Sequence, residues 1–180
     1  MNKKIVLIGK SCSGKTELAS ILKKRSFKPA ITCTTRPIRS IETEGIHYYF
    51  KSREEFQAMI TDDQLVEWDE FNNWFYGLPK SEFEKADVLV VTPRGLTKLI
   101  EKFGRDSMSI VYLDTLGKTR IKRSESRGDD PSEVQRRFVT DEADFAEFHA
   151  SGDWDLRVDL RIEDNYELVH RLFSQNPETI

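Results

Sequence analysis

One stretch of this chain predicts its architecture: Gly9-Lys10-Ser11-Cys12-Ser13-Gly14-Lys15-Thr16. An apolar run at residues 5–8 precedes it, and residues 17–24 follow with a helical pattern. A strand, a glycine loop and a helix in that order are the context in which G-x-x-x-x-G-K-[ST] indicates a phosphate-binding loop. The alternative, a Gly/Ser-rich turn without a ligand, does not require the terminal lysine and threonine. We therefore predict that these residues bind the phosphates of a nucleotide.

Four residues of this loop are of types that suit phosphate binding. Gly9 and Gly14 let the backbone curl so that successive N–H groups point at an anion. The helix N-terminus behind them adds about half a positive charge. Lys15 can reach the β- and γ-phosphates, and the hydroxyl of Thr16 can ligate Mg²⁺. The loop therefore suits a nucleotide bound together with a metal ion.

Composition excludes several classes of protein. The 180 residues suffice for one domain with a substantial core, and a net charge of −3 gives no electrostatic case for binding nucleic acid. No apolar stretch approaches the roughly 18 residues that a membrane span needs. Two cysteines do not form a disulfide framework, so a reducing cytoplasm is the expected location.

Short apolar strands alternate with helical patterns along most of the chain. This alternation predicts an α/β fold with a parallel central sheet covered on both faces. The strands are expected at residues 4–8, 30–34, 88–92 and 109–113, with a half-exposed edge strand at 156–162. The helices are expected at residues 15–25, 94–103, 116–124, 131–148 and 165–173.

Residues 36–81 break this alternation and predict a small insertion. Its expected elements are a strand at 47–50, a helix capped by Ser52 that runs to residue 60, and strands at 65–71 and 74–77. The turn Asn72-Asn73 favours an antiparallel pairing of the last two strands. Its tyrosines and Glu67 could line a pocket for a flat base.

A second unusual segment, residues 120–137, is rich in basic residues around a loop at 128–131. A solvated charged face is one interpretation. The other is a mobile lid that folds arginines over phosphates, since guanidinium groups match phosphate oxygens and phosphoryl transfer depends on charge stabilisation. With the phosphate loop upstream, we favour the lid for Arg123, Arg127 and Arg137.

Together, these motifs resemble those of guanylate kinases along nearly the whole chain. Besides the phosphate loop, the motifs that carry the resemblance are Thr32-Cys33-Thr34-Thr35-Arg36-Pro37-Ile38-Arg39, Glu44-Gly45-Ile46-His47-Tyr48-Tyr49-Phe50, Glu67-Trp68, Tyr76-Gly77 and the arginines from 123 to 137. The resemblance implies a three-layer P-loop NTPase fold with a parallel central sheet. Its core would comprise residues 1–35, 82–119 and 138–180, with a small α/β insertion at 36–81 that binds a nucleoside monophosphate and an arginine-bearing lid at 120–137.

The resemblance also implies substrates and site residues. The substrates would be ATP, with Mg²⁺, and GMP or dGMP, and the enzyme would be a monomer or a homodimer. The GMP-binding residues would be Thr32, Arg36, Arg39, Tyr48, Glu67, Tyr76 and Thr92. The catalytic residues would be Lys15, Arg36, Arg123, Arg127 and Arg137, and Thr16 would ligate the metal.

The proposed role of Glu67 has a chemical reason. Guanine presents two adjacent donors, N1–H and the 2-amino group, to a carboxylate that only accepts. Adenine would leave that carboxylate desolvated and unpaired, which costs on the order of several kcal/mol.

Three positions depart from the family pattern. Val90 and Thr92 stand where the family usually has aspartates, and Leu78 stands where it has a hydroxyl. Three functions are therefore open at this stage: a guanylate kinase, a kinase for another or a modified nucleoside monophosphate, and a non-catalytic protein-binding module. Lys15, Thr16 and the arginines favour a kinase, because a pure scaffold has no physical need to keep them together.

Overall fold

The computed structural model describes residues 3–71 and 73–158. The strands are β1 (Lys4–Ile8), β2 (Cys33–Thr34), β3 (Tyr49–Phe50), β4 (Leu65–Phe71), β5 (Trp74–Pro79), β6 (Val88–Val90), β7 (Met108–Leu113) and β8 (Leu156–Val158). The helices are α1 (Lys15–Lys24), α2 (Arg53–Thr61), α3 (Lys80–Lys85), α4 (Pro93–Phe103), α5 (Gly117–Ser126) and α6 (Pro131–Ser151), and a short 3₁₀ turn covers Arg105–Ser107.

The main sheet is parallel and has the strand order β6-β1-β7-β8. In its centre, Val6 lies between Leu89 on β6 and Ile110 on β7. Every residue of β7 is buried, as expected for a parallel strand that is covered on both faces. The predicted α/β fold with a parallel central sheet is confirmed.

Apolar residues on the two faces of β1 enter two different clusters, because side chains alternate along a strand. Val6 and Ile8 pack into a cluster that includes residues of α4 and α6. Ile5 and Leu7 pack into a second cluster, which includes Leu22 of α1. The sheet therefore lies between two helical layers.

A second sheet has the order β3-β2-β5-β4 and corrects one prediction. We expected residues 30–34 to form a strand of the central sheet, and this was wrong. Pro29 and Ala30 bridge to Val88 of the main sheet, but β2 then pairs with β3 and β5. The reason is burial, because Cys33 packs into a third apolar cluster, beneath the second sheet, with Phe56.

The capping box and the antiparallel strand pair predicted within residues 36–81 are confirmed, whereas the strand expected at 47–50 is observed only at Tyr49–Phe50. Ser52 and Glu55 form the reciprocal capping box that begins α2. The backbone nitrogen of Glu55 lies 3.1 Å from Ser52 Oγ, and that of Ser52 lies 2.7 Å from Glu55 Oε2. Strands β4 and β5 pair antiparallel, with Phe71 opposite Trp74. Asn73 has φ 63°, a left-handed conformation that asparagine tolerates.

The basic segment folds as the end of α5, a loop and the start of α6. Both helices extend two or three residues beyond their predicted ends. The predicted edge strand is described as far as Val158, which pairs with β7, and the predicted helix at 165–173 lies outside the described residues. The proposed boundaries of insertion and lid stay predictions. Among the residues described, no helix combines the length and apolarity that crossing a bilayer requires.

Truncation of the sheet's centre should be costly. Ile110 is fully buried, so Ile110→Ala should lower the free energy of unfolding by about 2–5 kcal/mol through lost burial and a residual cavity. The matched control Ile46→Ala removes the same atoms from a side chain that is 59% exposed and should change it by about 0.5 kcal/mol or less. Urea unfolding of both variants provides the measurement, and equal losses would contradict the assigned core.

Candidate active site

The predicted phosphate loop joins the end of β1 to the start of α1. Gly14 has φ 104°, which only glycine adopts readily. A side chain at Gly9 would lie 2.6 Å from the Ser13 hydroxyl and 2.7 Å from the carbonyl of Leu113, so glycine is required there by space. No side chain caps α1, whose first N–H groups are therefore available to an anion.

Lys15 and Thr16 stand at the start of α1. The ammonium of Lys15 donates to the carbonyls of Gly9 and Lys10, the latter at 3.0 Å, and so folds back over the loop. Burial lowers the pKa of Lys15 to about 8, against the opposing charge of Asp141. The Thr16 side chain is exposed, where it can meet a ligand.

Helix α5 and the residue that follows it support the outside of the phosphate loop. Arg123 donates to the carbonyls of Cys12 and Ser13 at 3.2 and 2.8 Å, so its guanidinium does not line the cleft here. Arg127 donates to the Cys12 sulfur at 2.9 Å. Lys10 points away and pairs with Glu142 of α6 at 2.6 Å.

A buried acid on α6, which sequence reasoning missed, holds the loop from the other side. Asp141 accepts from the N–H and hydroxyl of Ser11, at 2.8 and 3.1 Å, and from Arg120 at 2.9 Å. Asp141 and Arg120 are only 2% and 4% exposed. Burial raises the pKa of Asp141, against the lowering effects of Ser11, Lys15 and Arg120. This buried ion pair ties α5 and α6 to the phosphate loop.

Two predicted arginines stand across the cleft, and both are engaged by Glu42. The guanidinium of Arg36 is buried and donates to Glu42 Oε1 at 2.7 Å. The backbone N–H of Arg39 donates to the other oxygen of Glu42 at 2.9 Å. Burial and the charges of Arg36 and Arg137 lower the pKa of Arg39. Three guanidinium groups therefore converge at this end of the cleft.

Two tyrosines and the carboxylate of Asp129 complete this end. The rings of Tyr48 and Tyr76 meet edge to face at 6.3 Å. Burial raises the pKa of Tyr48 to about 12, so its hydroxyl keeps its proton and can donate at neutral pH. Asp129, in the loop between α5 and α6, pairs with Arg127 and lies 3.8 Å from Arg39. The loop thereby reaches across to the arginines.

Glu67 of β4 is a buried carboxylate that accepts no hydrogen bond from the described residues. It faces the start of α4, where a side chain at Gly95 would lie 2.7 Å from its Oε2. Burial raises the pKa of Glu67 to about 7, with a further rise from Asp69 and a lowering effect from Lys98. Such an unpartnered acceptor suits a ligand that brings its own donors.

Thr92 begins α4 beside this carboxylate. Its hydroxyl accepts from the N–H of Gly95 at 3.0 Å, capping the helix, and donates to Asp69 Oδ2 at 3.0 Å. A carboxylate from β4 is therefore held against Thr92.

One cleft of about 190 Å³ joins these two ends. It collects most of the predicted residues, namely Gly9, Ser11, Cys12, Lys15, Thr16, Thr32, Arg36, Arg39, Tyr48, Glu67, Tyr76, Thr92, Arg127 and Arg137. Lys10, Ser13, Gly14 and Arg123 do not line it. Asp69, Asp141 and Asp144 line it in addition. A larger groove beside α2 and α3, of about 600 Å³, contains none of the predicted residues.

Comparisons with known proteins agree with this geometry. A family model described as guanylate kinase matches residues 1–176. The chain is similar to a guanylate kinase of Desulfitobacterium hafniense, with 37% identity over 145 residues (76% of this chain, 72% of the relative), and to one of Rhizobium etli, with 34% identity over 151 residues (79% and 69%). The crystal structure of guanylate kinase from Anaplasma phagocytophilum has a TM-score of 0.69 at 20% identity and covers 97% of this chain and 84% of that one, which supports the fold.

The buried pair behind the phosphate loop should matter for stability. Asp141→Ala should lower the free energy of unfolding by about 3–5 kcal/mol, because it leaves Arg120 charged and buried without its buried partner. Glu142→Ala removes a 63% exposed partner of the same arginine and should cost about 1 kcal/mol or less. Chemical denaturation of both variants tests this contrast, and similar losses would show that burial does not set the strength of the pair.

Glu67 should make stability depend on pH. Its folded pKa of about 7 exceeds the ordinary value of 4.5, so in this window the folded state binds a proton that the unfolded state has lost. Stability should therefore fall as pH rises, by about 1.4 kcal/mol per pH unit relative to Glu67→Gln, and the difference should level off above pH 7. Unfolding curves of both proteins from pH 5 to 8 measure it; a constant difference would refute the raised pKa.

Proposed function

The chain belongs to the guanylate kinase family, and from this premise we propose that it transfers the γ-phosphoryl group of ATP to GMP or dGMP. The observation that carries the proposal is the cleft itself. A phosphate loop lies at one end, converging arginines lie at the other, and an unpartnered buried carboxylate stands beside the latter. This arrangement can hold two anionic nucleotides with their phosphates facing each other.

The donor nucleotide would bind at the phosphate loop. The free N–H groups at the start of α1 and the ammonium of Lys15 would take the β- and γ-phosphates of ATP. Lys15 would then exchange its present carbonyl partners for phosphate oxygens, which would raise its pKa from about 8. Arg127 and Arg137 line the same cleft and would neutralise charge on the phosphoryl group during transfer.

The residues present fit a magnesium ion that is bound mainly by substrate. Mg²⁺ in nucleotide sites usually takes few protein ligands and completes its shell with phosphates and water. Thr16 offers an exposed hydroxyl at the loop, while the described residues contain no cluster of three acidic, histidine or cysteine side chains suited to a metal. When bound, Mg²⁺ would neutralise phosphate charge, with Thr16 as its protein ligand.

The acceptor phosphate would bind to Arg36, Arg39, Tyr48 and Tyr76. In this structure the carboxylates of Glu42 and Asp129 lie against the two arginines, where they stand in for an anion. Because Glu42 is buried with Arg36, it would stay in contact with the guanidinium and orient it. Asp129 would move away from Arg39, which would then bind the phosphate. The acceptor is already an anion and needs no general base.

The base would lie against Thr32, Glu67 and Thr92. An ionised Glu67 would accept N1–H and one 2-amino N–H of guanine. Because binding requires the ionised form, kcat/KM for GMP should increase with pH through about 7. Closure of the lid and insertion over both nucleotides would exclude water and suppress hydrolysis of ATP.

Some finer points stay proposals. Both cysteines are free, in keeping with a cytoplasmic location. A monomer or a homodimer remains the expected form. The presence of Lys15, Arg36 and Glu67 in one cleft is our reason for preferring a working kinase to a protein-binding module.

Assays with a panel of monophosphates test the proposal. With ATP and Mg²⁺, a coupled assay of ADP release should show GMP and dGMP turning over with kcat/KM about 100-fold or more above AMP, CMP and UMP, because only guanine satisfies Glu67. Glu67→Gln should reduce kcat/KM for GMP by about 30-fold or more and leave the KM for ATP within about twofold.

Two further variants separate the ends of the cleft. Lys15→Ala should weaken use of ATP, and Arg36→Ala should raise the KM for GMP, each by about tenfold or more. If neither variant differs from the parent with either nucleotide, the two-ended site is wrong. If GMP is no better an acceptor than AMP, the assignment of guanine is wrong.

A further inference from the structure

Two carboxylates, not one, stand at the base end of the cleft. Glu67 and Asp69 are two residues apart on β4, and side chains at that spacing leave a strand on the same face. Both line the cleft, and Asp69 is 12% exposed. Trp68, between them, packs with the third apolar cluster on the opposite face. The strand therefore presents a pair of acceptors to one side of a bound base.

The carboxylate of Asp69 is held in place and keeps acceptor capacity. Oδ2 accepts from the hydroxyl of Thr92 at 3.0 Å, and Oδ1 accepts from the N–H of Glu70 at 2.9 Å. Arg94 lies 3.9 Å from Oδ1, with a side chain that is 67% exposed. A carboxylate has about four lone-pair sites, and only two receive a hydrogen bond within the described residues. The free sites can serve a ligand.

Placing two carboxylates side by side in a buried pocket is unfavourable unless donors meet them. Asp69 adds to the burial that raises the pKa of Glu67. Lys98, the cation that acts on Glu67, is committed to the carbonyl of Trp68. The pocket therefore suits a ligand with more N–H groups than one carboxylate can accept.

Guanine has such an edge. It carries three N–H bonds in a row, one at N1 and two on the 2-amino group. If Glu67 accepts N1–H and the nearer amino hydrogen, the remaining amino hydrogen needs another acceptor or stays buried without one, at a cost. Hypoxanthine lacks the amino group, and xanthine places a carbonyl oxygen there, which a second carboxylate would repel.

We propose that Asp69 is a second specificity-determining carboxylate of the base site, which accepts the outer N–H of the guanine 2-amino group. The inference rests on the proposed function and assigns a residue that neither the motifs nor the sequence pattern singled out. Asp69 would therefore select the amino group itself, while Glu67 selects N1–H.

The test compares three acceptors whose bases carry different groups at C2: GMP, inosine monophosphate and xanthosine monophosphate. Asp69→Ala should lower kcat/KM for GMP by about tenfold or more and leave that for inosine monophosphate within about threefold, because the latter has no amino group to lose. Asp69→Asn should also improve xanthosine monophosphate relative to GMP by about tenfold, since an amide can donate to its oxygen. Arg94→Ala, which removes the exposed neighbour and keeps the carboxylate, should leave all ratios unchanged.

The outcomes separate the inference from the function beneath it. Equal losses with GMP and inosine monophosphate would show that Asp69 only supports Thr92 and α4, and would overturn the proposal. Unchanged ratios in Asp69→Asn, a variant of nearly the same shape, would overturn it even if Asp69→Ala fails to fold. If the parent does not phosphorylate GMP, the proposed function fails; calorimetric binding of GMP and inosine monophosphate to the parent and Asp69→Asn then decides the role of Asp69 by itself.

Discussion

Repulsion between like charges is the constraint around which this cleft is arranged. A site for two nucleotides must gather cations, yet neighbouring guanidinium groups disfavour one another: the pKa of Arg39 is lowered first by burial and then by the charges of Arg36 and Arg137. The chain offsets this with its own carboxylates. Glu42 holds Arg36, Asp129 lies near Arg39, and Asp141 neutralises Arg120 behind the phosphate loop. The chain's own carboxylates thus offset the positive charge that lines the cleft and the loop behind it.

The phosphate ends and the base end of the cleft differ in the charge of the side chains that line them. Under the proposed function, the cations at the phosphate ends would face anionic groups, and binding strength there would come from charge with little dependence on which base is attached. At the base end, the carboxylates would face a neutral base, and selection would come from the penalty of leaving an acceptor unpaired. Burial raises the pKa of Glu67 to about 7, so a donor-rich base that bound to it, as we propose, would also favour its ionised state. Under the proposed function, affinity and specificity would therefore depend on different residues.

Sequence reasoning succeeded where the signal was local. The phosphate loop, the parallel strand at Lys4–Ile8, the capping box at Ser52 and the hairpin after Phe71 depend on residues within a few positions of each other. It failed where the partner is distant. The contact of Ser11 with Asp141 spans 130 residues, and a charged position on α6 looks like any solvated helix face. The strand at Cys33–Thr34 belongs to the second sheet and not to the predicted central sheet, because Cys33 is buried with Phe56. No local sequence pattern indicates that contact.

The same distant contacts connect α5 and α6 to the phosphate loop. Arg123 supports the outer carbonyls of the phosphate loop, whereas Arg127 and Arg137 line the cleft, so these arginines divide between holding the loop and facing the cleft. Arg120 and Asp141 connect α5 and α6 to Ser11 within that loop. A displacement of either helix must therefore move the backbone of the phosphate loop or break the buried ion pair between Arg120 and Asp141. Breaking that pair is costly. The positions of α5 and α6 are therefore coupled to the geometry of the phosphate loop.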